Sequence, residues 1–131
     1  MGLIRSIAWL DDDTGFVSSG WDASIYLWKL NLEPGETNPV WDYKIKNTNF
    51  TCVQAFKPEG SKEPCVYATG TDKSIRELVK GDGGHAKEVR IYQQHVNLNQ
   101  IAIMHNRRAF FTGVAEQNKP GSIQVLRHPF E

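Results

Sequence analysis

One short pattern occurs three times in this chain of 131 residues, and the spacing between its copies is nearly constant. The copies are residues 20–25 (GWDASI), 70–75 (GTDKSI) and 121–123 (GSI), the last preceded by Thr112-Gly113. Measured between the isoleucines that end them, Ile25 to Ile75 and Ile75 to Ile123, the copies lie 50 and 48 residues apart. Self-similarity at such a period predicts that one small structural unit is stacked several times.

Each repeat has the pattern of short β-strands and turns, and no segment has a convincing helical period. Apolar, β-branched and aromatic residues are concentrated in short runs, which glycine, proline and acidic residues interrupt. We predict eleven strands in groups of four, four and three: residues 3–9, 15–19, 24–30, 40–45, 50–56, 65–69, 74–79, 87–93, 98–104, 109–113 and 122–126. Four-stranded units with a period of about 40–50 residues are typical of β-propeller blades.

The predicted fold class is therefore all-β, a propeller segment of about three four-stranded antiparallel blades. The blades are expected at approximately 1–46, 47–94 and 95–131. Each blade of a propeller buries its faces against its neighbours, so an arc of three leaves two faces uncovered. We expect this chain to be a piece of a larger ring or to self-associate.

Composition narrows the class of partner. Fifteen Lys and Arg balance fifteen Asp and Glu, which gives no long-range attraction to nucleic acid or to an anionic membrane. No apolar stretch approaches the length of a membrane span, and the N-terminal sequence lacks the features of a signal peptide. Two cysteines, Cys52 and Cys65, are too few for a disulfide framework and are expected to be buried, reduced thiols of an intracellular protein.

Three side chains of the first repeat, Ser18, Asp22 and Trp28, lie where a WD-repeat blade places a hydrogen-bonded tetrad, so this repeat resembles the WD40-type propeller family. The resemblance implies that Asp22 orients a histidine, which would lie just before Gly2, and that the histidine bridges to Ser18. Ser18 would in turn bond the Trp28 indole. A buried indole N–H and a buried carboxylate both need partners, which makes these residues structural instead of catalytic.

The other repeats depart from this motif. The dipeptide that gives the family its name is Trp28-Lys29 here, not Trp-Asp. The second repeat has Ala68 and Leu78 in place of the serine and the tryptophan, although Asp72 is kept. The third repeat keeps neither the Asp nor the Trp, so the assignment depends on the first repeat and on the spacing.

A closer resemblance, over roughly residues 3–129, is to a late propeller segment of a WD-repeat protein of the ciliary axoneme. It is carried by IRSI-x-W from Ile4, by GTDKSIRE from Gly70, by the charged Glu77 inside an otherwise apolar strand, and by the ending IQVLRHP. The resemblance implies a non-enzymatic protein-interaction scaffold of the cilium or flagellum. Within the axoneme it implies an adaptor associated with inner dynein arms or doublet microtubules and with ciliary beating. A generic WD-repeat scaffold in another intracellular complex is the alternative.

No catalytic, cofactor or metal site is predicted. Of the histidines His85, His95, His105 and His128, His95 and His105 lie ten residues apart with no cysteine or carboxylate nearby at ligand spacing. The glycine-rich residues 81–84 lack the Lys-Ser/Thr of a phosphate loop. The rival from another class is an enzymatic propeller, such as a hydrolase or lyase with its site at the central channel. The strands expected to be innermost, residues 3–9, 50–56 and 98–104, are mostly apolar or uncharged, which argues against it, although blades beyond this chain could hold such a site.

Trp21, Lys73 and Arg76 are the candidate interface residues. Trp21 occupies a tight turn where no core position is expected, and an exposed tryptophan is a plausible interface anchor. Packing of the indole over its own blade edge is the alternative. Lys73 and Arg76 belong to a basic group that fits an acidic partner such as a tubulin surface, or that is simply a solvated face. The loops at 31–39 and 116–121 are further candidate contacts.

Overall fold

The structure is a computed structural model, which describes residues 3–10, 14–30, 38–56, 63–93, 97–103, 109–114 and 122–126. Within these ranges the chain forms eleven strands and no helix, and hence no helix of membrane-spanning length. The strands are β1 (Ile4–Trp9), β2 (Gly15–Gly20), β3 (Ser24–Lys29), β4 (Trp41–Lys44), β5 (Phe50–Phe56), β6 (Cys65–Gly70), β7 (Ser74–Lys80), β8 (Ala86–Gln93), β9 (Asn97–Ile103), β10 (Ala109–Val114) and β11 (Ser122–Leu126). Each predicted strand is found, with its ends within one residue of the prediction.

The strands form three antiparallel sheets that follow one another along the chain. Their orders are β1-β2-β3-β4, β5-β6-β7-β8 and β9-β10-β11, which confirms the predicted grouping of four, four and three. We call them blades 1, 2 and 3. The loop at 31–37, the turn at 115–121 and His95, His105 and His128 lie outside the described residues.

Two local features recur from blade to blade. A β-bulge shifts the cross-strand register near the start of the first strand, at Arg5 in blade 1, Thr51 in blade 2 and Asn99 in blade 3. The turns between the second and third strands of blades 1 and 2 each contain a residue in the left-handed conformation, Ala23 with φ of 62° and Lys73 with φ of 64°. Bulges increase the local twist of a sheet, so a shared bulge gives each blade the same shape.

Blade 1 packs face to face on blade 2 through their first strands and the core between them. The backbone N–H of Val53 donates to the Ser6 hydroxyl at 3.2 Å, which bonds β1 to β5. Between blades 2 and 3, the Cys52 thiol lies 3.6 Å from the carbonyl oxygen of Ile101. The core between blades 1 and 2 is built from side chains of both sheets: Ala8, Leu10, Val17, Ile25, Leu27, Trp41, Phe50, Val53, Val66, Ala68 and Leu78. Burial of each large member stabilises the fold by about 1.5–3 kcal/mol.

Neither cysteine forms a disulfide, and only one of the two is as buried as the sequence predicts. Cys52 is buried between blades 2 and 3, as predicted. Cys65, at the start of β6, is only partly buried, because the first residue of a strand lies at the rim of the sheet.

Candidate interaction surface

Blade 1 exposes the face that the other blades bury. Ile7, Val53 and Ile101 occupy the same position of the first strand, two residues past the bulge. Val53 is 0% exposed and Ile101 is 2% exposed, whereas Ile7 is 60% exposed. Blade 1 covers Val53 and blade 2 covers Ile101, but no described sheet covers Ile7. We call this side of blade 1 the open face.

A ladder of aromatic rings crosses the open face from strand to strand. The Trp9 and Phe16 ring centroids are 5.8 Å apart, those of Phe16 and Trp28 are 6.3 Å apart, and those of Tyr26 and Trp28 are 5.7 Å apart. At the outer end, the Lys44 ammonium lies 5.7 Å from the centroid of Tyr26. Cross-strand pairing of Trp9 with Phe16 and of Phe16 with Trp28 places these rings on one side. An exposed, contiguous apolar face of this kind marks a contact surface.

Two predicted tetrad residues meet on the open face. The Trp28 indole Nε1–H donates to the hydroxyl of buried Ser18 at 3.0 Å. A cavity of about 210 Å³ lies beside this bond, with Asp22 and Ile4 also in its lining. The Asp22 side chain is exposed instead of buried, because its turn lies at the margin of the open face. The tetrad as a whole, with its histidine, stays a prediction.

Asp72, the equivalent aspartate of blade 2, organises its own turn. Its Oδ1 accepts hydrogen bonds from the backbone N–H of Ser74 at 3.2 Å and from the Ser74 hydroxyl at 2.6 Å. Its Oδ2 accepts from Arg76 at 2.9 Å, and Arg76 also lies 3.5 Å from Glu88. The Arg76 side chain is only 13% exposed, so its guanidinium is engaged within the protein instead of displayed to a partner. The sequence predicts an interface role for Arg76 because it does not show which residues of the next strand, such as Glu88, lie beside it.

Polar contacts that the sequence did not reveal join the outer strands of blades 1 and 2. The Tyr43 hydroxyl on β4 donates to Glu88 on β8 at 2.5 Å, and burial, followed by the Glu88 carboxylate, raises the pKa of Tyr43. Asp42 contacts His85 at 2.5 Å, and the Asp42 backbone N–H donates to Gly84 at 3.1 Å. These contacts tie the edge of blade 1 to blade 2. Their only sequence signal is that polar residues occur on neighbouring outer strands.

Glu77, the charged residue in an apolar strand, is buried beside Tyr67, its cross-strand neighbour. Among the described residues the cation beside it is Arg90, on the next strand, with 4.0 Å between Arg90 Nε and Glu77 Oε2. Burial is the main cause that raises the pKa of Tyr67, and the Glu77 charge adds to it. In blade 1 the corresponding positions hold Val17 and Leu27, which belong to the apolar core. Blade 2 therefore presents a partly polar face where blade 1 presents an apolar one.

The remaining candidate interface residues, Trp21 and Lys73, are displayed at one end of the sheets. Trp21 is 48% exposed, and the Arg5 guanidinium carbon lies 5.5 Å from the centroid of its ring. Lys73 is exposed in the equivalent turn of blade 2. No group of three or more metal-ligating side chains occurs in the part of the chain that the structure describes.

Comparison with a solved structure identifies the fold. The chain superposes on the crystal structure of the WD40 beta propeller domain of Doa1 with a TM-score of 0.63. The match covers 94% of this chain and 36% of that one, at 17% sequence identity. The chain therefore has the fold of WD40-type propeller blades, which confirms the predicted fold class. No protein-family model matches the sequence.

Sequence comparison then gives the particular protein that the chain resembles. It is 28% identical over 128 residues to cilia- and flagella-associated protein 57 of Mus musculus, a match that covers 98% of this chain and 9% of that protein. It is 23% identical over 156 residues to cilia- and flagella-associated protein 57 A of Tetrahymena thermophila, covering 98% of this chain and 12% of that protein. The chain thus spans about a tenth of the length of these relatives. They confirm the resemblance to a WD-repeat protein of cilia and flagella that the motifs at Ile4 and Gly70 indicate.

Proposed function

We propose that this chain is part of a non-enzymatic protein-interaction scaffold of cilia and flagella. The observation that carries the proposal is similarity along 98% of the chain to proteins of a mammal and a ciliate that are both named for these organelles. The fold supports it, because blades stacked side by side present turns and sheet faces on which other proteins bind.

The finer proposal is an axonemal adaptor that binds components of inner dynein arms or of doublet microtubules. In this proposal the blades occupy approximately 1–46, 47–94 and 95–131, and the tetrad residues Ser18, Asp22, Trp28 and Asp72 hold the blades in shape. The Ser18–Trp28 bond and the contacts of Asp72 within its turn support that structural role.

Proximity labelling tests this function. The parent protein is fused to a labelling enzyme and expressed in ciliated cells, with the unfused enzyme targeted to cilia as the control. We expect enrichment of axonemal proteins over the control, with dynein-arm and doublet-microtubule components among them. Dominant recovery of nuclear or secreted proteins without axonemal ones would exclude the ciliary proposal.

The open face leads us to a proposal about assembly. We propose that a further sheet of the same kind covers it, and that a second copy takes this place when the chain is expressed alone. The face is contiguous with the blade packing already present, since blade 1 covers Val53 as a further sheet would cover Ile7. Light scattering should show concentration-dependent association that Ile7→Ser weakens and Val89→Ser, an exposed residue of β8, does not. A monomer at all concentrations would contradict it.

A further inference from the structure

The turn that carries Trp21 has the same backbone contacts as its counterpart in blade 2 but a different side chain. The Trp21 N–H donates to the Leu3 carbonyl at 2.9 Å, and the Thr71 N–H donates to the Asn49 carbonyl at 2.9 Å. In blade 2 the Thr71 hydroxyl also accepts a hydrogen bond from the Asn49 N–H at 3.0 Å. A small hydroxyl side chain is therefore sufficient for this turn. The large, half-exposed indole of Trp21 has no corresponding contact with the backbone among the described residues.

Arg5, the residue that contacts the Trp21 ring, has the same backbone position as Thr51 of blade 2 but a different side chain. Both Arg5 and Thr51 are the bulged residues of their first strands. The Thr51 hydroxyl is directed into its own sheet, where it lies 2.7 Å from the Thr69 hydroxyl. Arg5 instead is exposed and holds its guanidinium over the indole, which is a cation–π arrangement. Blade 1 thus displays a cation and an aromatic ring where blade 2 has two threonines.

Positive charge is concentrated around this pair. We call the ends of blades 1 and 2 that carry the turns at 20–23 and 70–73 the tight-turn end. Antiparallel pairing places the start of β1 and the end of β4 there too. Its exposed cationic side chains in the described ranges are Arg5, Lys44, Lys46 and Lys73. Of the two carboxylates in these turns, Asp72 is paired with Arg76, which leaves Asp22 exposed. The end is locally cationic although the chain is neutral.

We propose that the tight-turn end binds an acidic, extended peptide segment of a partner protein, with Trp21 as the apolar anchor. Tryptophan and arginine are the residue types most enriched at the energetic centres of interfaces. Arginine pairs well with carboxylates, and surrounding lysines accelerate and orient the approach of an acidic chain. The zero net charge of the chain favours a peptide over a nucleic acid. This inference rests on the proposed scaffold function and names the chemistry of one partner.

Fluorescence anisotropy with a labelled acidic peptide of Glu and Gly that has one central Leu tests the proposal. We expect the whole chain to bind it, to bind it more weakly as salt is added, and not to bind the matching peptide with Lys in place of Glu. Trp21→Thr and Arg5→Thr, which place the residues of blade 2 in blade 1, should each weaken binding about tenfold. Lys29→Thr removes an exposed cation at the opposite end of β3 and should leave binding unchanged. Because blade 2 folds with threonine at both positions, the variants should remain folded, with at most a small decrease in the denaturant concentration at which they unfold.

Three results would overturn the inference. The first is failure of the unchanged protein to bind the acidic peptide. The second is binding of that peptide by Trp21→Thr as tightly as by the unchanged protein. The third is tighter binding of single-stranded DNA than of the peptide. Proximity labelling in ciliated cells is an independent readout. A protein that labels axonemal components but does not bind the acidic peptide retains the proposed scaffold function and loses only this inference.

Discussion

Blades 1 and 2 have the same strand order, bulge and tight turn, but different side chains occupy their equivalent positions. On one side, the Trp28 indole of blade 1 donates to Ser18, while blade 2 places Leu78 against Ala68, both fully buried. Replacing a donor and its acceptor together by apolar groups leaves no polar group without a partner, so the change is close to neutral. The repeat therefore fixes the path of the chain and allows its side chains to change in matched pairs.

On the opposite face of the sheets, blade 1 has apolar side chains where blade 2 has polar ones. Blade 1 contributes Val17 and Leu27 to the apolar core, whereas blade 2 has Tyr67 and Glu77 at those positions. A buried carboxylate needs partners, which Tyr67 and the more distant Arg90 supply in part. The two blades thus differ in what each presents to its neighbour, although the bulge and the tight turn are the same in both.

The largest expected effect contrasts Phe50 with Ile4, which hold the same position in the first strands of blades 2 and 1. Phe50 is fully buried, 6.2 Å from the ring of Tyr43, while Ile4 lies on the open face. Phe50→Ala should lower the free energy of unfolding by about 3–5 kcal/mol, and Ile4→Ala by no more than about 0.5 kcal/mol. Urea unfolding measures both. Similar losses would mean that the two faces are equally covered.

The next effect concerns the network that blade 2 builds around Arg76. Arg76→Ala removes the hydrogen bond to Asp72 and the ion pair with Glu88 in a largely buried setting. It should lower stability by about 2 kcal/mol, since charged hydrogen bonds contribute about 1.5–3 kcal/mol. Arg90→Ala, which removes a more exposed guanidinium from the next strand, is the matched control and should cost much less. If the two variants unfold alike, the Asp72 network does not stabilise blade 2.

Alkaline pH should destabilise blade 2 through Tyr67. Burial raises the pKa of Tyr67 above its ordinary value of about 10, so the folded state favours the protonated phenol. That stability is present below pH 10 and is lost as pH rises toward the folded-state pKa, about 1 kcal/mol of it by pH 11. Chemical unfolding is measured from about pH 8 to about pH 11, a range that spans the ordinary pKa of tyrosine. Over this range the free energy of unfolding should decline less steeply for Tyr67→Phe than for the unchanged protein.

Tyr43→Phe tests the same effect in blade 1, where the raised pKa of Tyr43 acts in the same direction. Val17, at the position of Tyr67 in blade 1, cannot titrate. A decline with pH that neither variant changes would show that these hydroxyls do not lose protons on unfolding.

The smallest effect tests the matched-pair interpretation of the open face. Ser18→Ala alone leaves the Trp28 N–H without its acceptor and should cost about 0.5–1 kcal/mol, because the indole is only partly buried. Trp28→Leu combined with Ser18→Ala reproduces the pair found in blade 2. In a double-mutant cycle the losses should be non-additive by about 0.5 kcal/mol. Strict additivity would show that the two side chains do not depend on each other.

Much of the fold could be predicted because its signals are local. The Gly-x-Asp-x-Ser pattern of the turns and the alternation within β1 define strands without reference to distant residues, so strand ends were predicted within one residue. The Ser18–Trp28 contact could be anticipated for a related reason, since the two residues lie on neighbouring strands joined by a single short turn.

The contacts between blades could not be predicted in this way. Glu88 joins Tyr43 across 45 residues, and Asp42 joins His85 across 43. Nothing in the composition of β4 and β8 selects these pairs, because side chains on neighbouring edges meet only after the sheets have stacked. Arg76, which the sequence predicts at an interface, lies beside Glu88 because β7 and β8 pair within blade 2, and Asp72 holds it within its own turn.

By itself, then, the sequence determined the repeat, the strands and the turns, because hydrophobic alternation and turn chemistry act over a few residues. The tertiary structure alone decided which equivalent positions are exposed. Ile7 and Val53 are both apolar residues of a first strand, yet one is exposed and the other buried, because burial depends on whether a neighbouring sheet lies above the position. That difference defines the open face of blade 1.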